Sequence, residues 1–483
     1  MRIFTANEAA QARGMSPHSE SERLEITAAQ SAEEIHSWLE PRDTSWRIAV
    51  LAGSGWTGCV AGALAERLSG YGYEVRLFNG YPEAPLPPIL EYLSENHLGK
   101  TLLIDGLFGA ENESCAGSPA EKLLKALSSI TIPTISLGMP SGLDPDTGLG
   151  EPAIRADMTI AIGCLMQGMF QGNGPLLCGE IRWIPSGIPD SATGAGEALG
   201  GAFHLREAAA LLQPRRQDSH KYSHGRILIM AGSERYNGAP FLASEGALRA
   251  GAGLVRLLLP SKARKRPGPA SLIAEELENS SCFTAAHLTR IEEAISTADS
   301  ILYGPGIGPD AAPEIHSLLL NQKKPLILDA DALNILAAHP ELLHDRACPL
   351  IMTPHAGELH RLIQAFIPET KTLPVPEQAR RLAEFFQAII VMKGHPTRVF
   401  NGTSGRETLI LSGGPSLATA GTGDVLAGVI TAFAAQMPLE EAACMGAFIH
   451  GLAGDLYPFS PRSMTADDLP GLIPSAFRRV CIW

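Results

Sequence analysis

The 483 residues carry 38 Lys and Arg against 51 Asp and Glu, a formal net charge of −13, with 45% apolar and 18% charged residues. So much apolar material rules out a disordered chain and suffices for two or three domain cores at roughly 100–200 residues each. The acidic balance argues against a general nucleic-acid binder, which needs a basic surface, and no apolar run reaches the ~18 residues of a membrane span. The chain opens Met1-Arg2-Ile3-Phe4-Thr5-Ala6-Asn7-Glu8, without the apolar core of a signal peptide. Eight cysteines are scattered with no C-x-x-C pair. That spacing predicts reduced thiols in a cytoplasm, not a zinc site or a disulfide framework.

In chain order, Ile48–Ala52 is an apolar run ending in Gly53-Ser54-Gly55, and Gly58–Ser69 has helical spacing. Extended segments follow at Glu74–Phe78, Thr101–Ile104, Pro133–Leu137, Met158–Ile162 and Glu180–Trp183. Strands alternating with helices predict a parallel sheet covered on both faces. Its ligands belong at the carboxyl ends of the strands, in the loops opening at Gly53, Asp105 and Gly138. From Pro185 to Gly201 the composition is that of a flexible linker. The alternation then restarts with strands at Arg226–Met230, Leu254–Leu259, Ser300–Tyr303, Leu326–Leu328, Leu350–Met352 and Ala388–Met392, and a helix at Ala239–Ala250. Two domains are expected, 1–200 and 201–483. The basic run Lys262-Ala263-Arg264-Lys265-Arg266, just before Pro267, reads as a solvated loop rather than a nucleic-acid contact.

The sharpest signal is Ala418-Thr419-Ala420-Gly421-Thr422-Gly423-Asp424, followed by apolar residues at 425, 426, 429, 430 and 433. This is a glycine loop opening a helix. Its exposed N–H groups attract a phosphate and stabilise charge on a transferred phosphoryl group. Asp424 at the helix start can take a proton from an attacking hydroxyl. Alone, the motif reads more readily as a glycine turn with an ordinary acidic cap. Further polar segments shift the balance: Asp218-Ser219-His220-Lys221 before a strand, and Gly304–Gly308, Asp329–Asn334, Thr353–Glu358 and Lys393–Thr397 after strands. Several polar loops at the strand ends of one parallel sheet form a site.

Together these segments resemble the ribokinase-like superfamily, and within it the ADP/ATP-dependent NAD(P)H-hydrate dehydratases. The residues that carry the likeness are DSHK (218–221), GAPFLASEGALRAGAGLV (238–255), GPGIG (304–308), LDADALN (328–334), TPHAGEL (353–359), VMKGHPT (391–397) and LATAGTGDVLAG (417–428), over about residues 205–475. The resemblance implies a ribokinase-like α/β second domain that phosphorylates the ring hydroxyl of hydrated NADH or NADPH; loss of phosphate then restores the reduced cofactor. ADP is expected ahead of ATP as the donor. By the same likeness Lys393, Gly394, His395, Pro396, Thr397 and Gly423 hold the adenine nucleotide. Asp424 is the base, and Ala239, Gly308 and His355 lie near the hydrated cofactor, with Asn334, Glu358 and Lys221 further out. Magnesium (Mg2+) is expected to arrive with the nucleotide, with no protein metal ligands assigned. Three positions depart from the pattern, with Tyr222, Ala420 and Gly414 standing where the family carries Gly, Gly and Asn; Tyr222 bears on substrate fit.

The first half resembles the Rossmann-like NAD(P)H-hydrate epimerases that commonly precede this dehydratase. Phe4–Glu8 matches the start of their N-terminal helix, Asp105–Gly109 their D-A-L-F-G loop, and Pro140–Gly148 their P-S-G-L-D-x-D-T-G stretch. Their G-x-G-N-N-G-G-D-G loop, however, reads Gly53-Ser54-Gly55-Trp56-Thr57-Gly58-Cys59-Val60-Ala61, and their catalytic aspartate is Gly138. Proton abstraction needs a titratable group, so a degenerate epimerase half is expected: either a packing or oligomerisation module, or a binder without turnover. Asp105 and Ser141 match potassium (K+) ligands but lack their partners, so a structural role is expected ahead of a potassium site. The chain is expected to be a cytoplasmic homo-oligomer whose partners are hydrated NAD(P)H and an adenine nucleotide, with neither nucleic acid nor membrane. The alternatives are a kinase of a vitamin or sugar alcohol, which the same Gly421–Asp424 loop would serve, and a non-catalytic nucleotide-binding scaffold, against which the intact Lys393 and Asp424 speak.

Overall fold

The computed structural model describes residues 1–39, 45–81, 87–94, 100–110, 119–193, 200–263, 268–278, 280–343 and 346–481. Two compact units divide the chain, Arg2–Ala195 and Gly196–Trp483 with Met1.

In the first unit the strands are β1 (Ile3–Phe4), β2 (Arg47–Gly53), β3 (Glu74–Tyr81), β4 (Thr101–Gly106), β5 (Thr134–Leu137), β6 (Met158–Ile162), β7 (Leu165–Met166) and β8 (Glu180–Ile184). Six of them form a parallel sheet in the order β3-β2-β4-β5-β6-β8, and β1 pairs with β7. Side chains alternate across a strand, and β2 shows the consequence. Ile48, Val50 and Ala52 pack with Ile35, Leu64 and Leu68 of the helices Glu20–Leu39 and Trp56–Gly70. Ala49 and Leu51 face the other way, toward Tyr92, Leu123 and Leu127 of Pro87–Ser94 and Pro119–Ser128. The helix Ala6–Gly14 starts at a capping box in which Glu8 accepts from the Thr5 N–H at 2.9 Å.

The second unit contains β9 (Gly201–Phe203), β10 (Arg226–Met230), β11 (Leu254–Pro260), β12 (Ile273–Leu277), β13 (Ser300–Tyr303), β14 (Leu326–Leu328), β15 (Leu350–Met352), β16 (Ile389–Met392), β17 (Thr397–Asn401) and β18 (Glu407–Ile410). The sheet order is β12-β11-β10-β13-β14-β15-β16-β17-β18-β9. One face, with Ile227, Ile229, Leu257 and Ile351, packs on helices Ala239–Arg249, Thr422–Ala434 and Leu439–Asp455. The other, with Leu228, Met230, Tyr303 and Leu328, packs on Pro313–Asn321, Asp331–Ala338, Ala356–Phe366 and Val375–Phe386. Each buried Leu or Ile contributes roughly 1.5–3 kcal/mol, so these two layers hold the loops above them in place.

The sheet is not parallel throughout. β17 runs antiparallel to both β16 and β18, because four residues, Lys393–Pro396, join β16 to β17 and a parallel crossover needs a dozen or more. The linker expected over 185–201 is partly ordered: Asp190–Thr193 is helical and β9 pairs with β18, while residues 194–199 lie outside the described residues. Lys262 stands in the turn Ser261–Ala263, and the rest of the basic run, 264–266, lies outside the described residues.

Candidate active site

From β10 the connections run to β11 and β12 on one side, and from β13 to β14, β15 and β16 on the other. Above the carboxyl ends at this reversal an α/β sheet leaves its crevice. The crevice is bounded by the loops after β10, β13, β14, β15 and β16 and by the first turn of the helix Thr422–Ala434. Gly421 caps that helix with φ +94°, a left-handed value that favours glycine. Thr422 Oγ1, 2.9 Å from the Leu417 carbonyl, staples the turn. Ala420, where the resembled family carries glycine, has no positive φ, so its Cβ is accommodated.

Asp424 sits in the first helical turn, its own N–H donating to the Gly421 carbonyl at 3.1 Å, with the Thr422 and Gly423 N–H groups ahead of it at the helix start. Beside it, a Cβ built on Gly423 would lie 3.2 Å from Lys393 Nζ. Lys393 follows β16 and donates to Asp329 Oδ1 at 2.5 Å, and the same oxygen accepts from Thr353 Oγ1 at 2.7 Å. Burial pushes the Asp424 carboxyl up to about 7; Asp329, Asp331 and Glu358 add to this and Lys393 opposes it. Burial works against the Lys393 ammonium, but Asp329, Glu358 and Asp424 outweigh it and raise its pKa above the usual value. The Glu358 carboxyl is raised by burial, against the pull of Lys393. His450, buried at the back of the same turn with Nε2 2.9 Å from the Thr422 carbonyl, is pushed down to about 4 by burial and stays neutral. The result is a carboxylate that ionises near neutral pH, next to a permanent cation and free N–H groups. That set suits proton abstraction coupled to phosphoryl transfer.

The nucleotide-loop residues expected from the sequence are contiguous here. Gly394, His395 and Pro396 form the turn after Lys393, and Thr397 begins β17 with Oγ1 donating to the Gly394 carbonyl at 3.0 Å. His395 Nδ1 lies 2.9 Å from the Gly413 carbonyl. On the other side, Gly308, at φ +79°, donates its N–H to Asp331 Oδ2 at 2.9 Å. Ala239 opens its helix next to Gly306, where an added Cβ would approach the Ala239 Cβ to 3.1 Å. His355 caps the helix Ala356–Phe366: Nδ1 accepts from the Gly357 N–H at 2.9 Å, leaving Nε2 to carry the proton 3.3 Å from Glu358. Asn334 Oδ1 accepts from Arg361.

Lys221 does not join this group. It precedes β10, at the opposite end of the strands, where its carbonyl packs on Gly253 and its ammonium stands 5.0 Å over the exposed Tyr222 ring. Tyr222 therefore leaves the crevice untouched. Asp329 and Thr353, given no role from the sequence, are central to it; both stood inside the quoted segments LDADALN and TPHAGEL.

In the first unit Asp105 is fully buried and both its oxygens are taken. Oδ1 accepts from Ser141 Oγ at 2.6 Å and the Leu107 N–H at 3.3 Å; Oδ2 accepts from Ser136 Oγ and the Ser141 N–H, each at 2.9 Å. All four lone-pair directions are used, and burial raises its pKa. In the same unit Arg13, Trp56, Thr57, Ala110, Gly138, Ile162, Cys164 and Met166 line a cavity of ≈ 20 Å³, room for about one water.

A family model described as NAD(P)H-hydrate dehydratase matches residues 227–475, and one described as YjeF-related protein N-terminus matches 88–168. A bifunctional NAD(P)H-hydrate repair enzyme of Salinibacter ruber is 37% identical over 390 residues, 77% of this chain and 71% of its own. The Escherichia coli enzyme of the same description is 31% identical over 92% of this chain and 87% of its own. Among solved structures, the ADP/ATP-dependent NAD(P)H-hydrate dehydratase of Bacillus subtilis, co-crystallised with ATP and Mg2+, is similar at 25% identity. It covers 58% of this chain and 98% of its own, with a TM-score of 0.49.

Proposed function

The chain belongs to the family of bifunctional NAD(P)H-hydrate repair enzymes, and on that premise we propose that residues 201–483 form the working half, a nucleotide-dependent dehydratase of hydrated NADH and NADPH. The observation that carries this reading is the Asp424 carboxyl, poised near neutral pH in a helix-start turn against Lys393.

Ionised Asp424 takes the proton of the ring hydroxyl, and the oxygen forms a bond to the terminal phosphorus of the nucleotide as the bridging P–O bond breaks. With ADP the leaving group is AMP. Lys393 and the N–H groups at Thr422 and Gly423 stabilise the charge on the transferred group. The ring then expels phosphate, with cleavage of its C–O bond, and a neighbouring C–H proton is lost to restore the double bond. Lys393–Thr397 and Gly423 are assigned to the nucleotide, and Ala239, Gly308 and His355 to the hydrated ring and its dinucleotide. Magnesium is assigned to the nucleotide's own phosphates. ADP is the proposed donor ahead of ATP.

Residues 1–200 are proposed to lack epimerase turnover. Gly138 supplies no base, Trp56 and its neighbours leave only ≈ 20 Å³, and the saturated Asp105 offers no lone pair to potassium. No helix among the described residues is long and apolar enough to cross a membrane, and a cytoplasmic location is proposed.

The test is to incubate the full chain with the S epimer of hydrated NADH, Mg2+ and either ADP or ATP, and follow NADH absorbance. Recovery is expected with ADP. No recovery with either nucleotide would refute the dehydratase reading. Conversion of the R epimer faster than in buffer would refute the loss of the epimerase.

A further inference from the structure

Asp329 follows β14, Thr353 follows β15 and Lys393 follows β16, three adjacent parallel strands. Leu328 pairs with Met352, the Thr353 N–H donates to the Leu328 carbonyl at 3.1 Å, and the Lys393 N–H donates to the Pro354 carbonyl at 3.0 Å. The ladder thus runs on past the strand ends: Thr353 continues opposite Asp329, while Lys393 lies two residues further along its strand and its long side chain reaches back across β15 to the Asp329 carboxylate. Asp329 is 1% exposed, and its Oδ1 accepts from both Thr353 and Lys393.

Resting on the dehydratase reading above, we propose that Asp329 is a positioning residue: anchored by Thr353, it holds the Lys393 ammonium clear of Asp424, leaving the base free to take the substrate's hydroxyl proton. An ammonium in so enclosed a place needs a carboxylate partner. With Asp329 neutral, the remaining anions within reach of Lys393 are Glu358 and Asp424. An Asp424 paired with Lys393 is a weaker base and is drawn away from the hydroxyl. The charged groups that act on Asp424 are Asp329, Asp331, Glu358 and Lys393; His450 behind the turn is neutral.

The experiment uses the full chain and its variants Asp329→Asn and Thr353→Val. Turnover of hydrated NADH is followed from pH 5.5 to 9, nucleotide binding is measured by calorimetry, and folding by thermal melting. For Asp329→Asn, kcat is expected to fall about 100-fold, the size of a misplaced catalytic group, with nucleotide still bound. The acid limb of the pH profile should move to lower pH, because Asp424 loses a repelling charge and gains the ammonium. Thr353→Val should move both readouts the same way by less. A purely structural role would reduce the folded fraction and leave the acid limb in place. Wild-type kcat in Asp329→Asn, or a reduced kcat with an unmoved acid limb, overturns the proposal. If Asp329→Asn does not fold, the same two criteria applied to Thr353→Val decide it. A wild-type chain inactive with both nucleotides refutes the dehydratase reading itself and this proposal with it, before any variant is compared.

Discussion

Asp424→Asn is expected to make the protein more stable while removing its activity. An Asp side chain that ionises near the ordinary 3.8 when unfolded ionises at about 7 in the native site. Between those values the native state holds a proton that the unfolded chain has released, so stability falls as pH rises across that window. Below pH 4 both states are protonated and the penalty is absent; above about pH 7 it is fully present. Allowing for partial solvent access at the turn, its size is on the order of 2–4 kcal/mol. Asn keeps the shape without the charge, so the variant should melt roughly 5–10 °C above wild type at pH 8, and the gap should close toward pH 4. Scanning calorimetry at pH 4.5, 6 and 8 measures this, with the transition of the second unit identified as the one that nucleotide raises. NADH recovery by the variant should fall ~10²–10⁴-fold, the usual worth of a general base. A melting gap that is absent at pH 8, or that does not change with pH, would refute the electrostatic account of Asp424.

Three further outcomes are expected. Gly304→Ala places a Cβ 1.8 Å from the Asp329 carbonyl at φ +132°; it should cost about 2–4 kcal/mol in urea unfolding and lower dehydratase turnover by displacing Asp329. Asp105→Ala strands the Ser136, Ser141 and Leu107 donors in a buried place, and should destabilise the first unit by about 3 kcal/mol while leaving the dehydratase rate unchanged. Replacing sodium by potassium should leave the wild-type melt of that unit unmoved, and a potassium-dependent rise would contradict the saturated geometry of Asp105.

The legible parts of the fold are those whose burial writes a pattern. β10, β13, β14 and β15 coincide with the apolar runs residue for residue, because both faces of a central parallel strand are covered. β12 leaves no such run: its Ile-Ala-Glu-Glu-Leu lies at the sheet edge with Ile273 half-exposed. β17 and β18 follow a short turn that reverses direction, which an assumption of βα alternation passes over. At the site, Asp424 and Lys393 stand out locally because a glycine loop and a strand end frame them. The Asp329–Lys393 contact spans 64 residues and exists only through the register of three strands, which no local window contains. Lys221 misled for the converse reason: its motif is distinctive, but it precedes its strand and so lies at the wrong end of the sheet.

If the first unit lacks turnover as proposed, Gly138 makes that loss hard to reverse. Its backbone sits at φ +78°, and an added Cβ would stand 3.3 Å from the Ala110 nitrogen. A mutation to aspartate there would meet an unfavourable backbone, a cavity already filled from the Trp56, Ile162 and Met166 sides, and an Asp105 committed to four internal donors. No single step restores both the carboxylate and the room for a nicotinamide. Under the proposed loss of turnover the replacements reinforce one another: a carboxylate at 138 without the room, or the room without the carboxylate, would not restore the reaction.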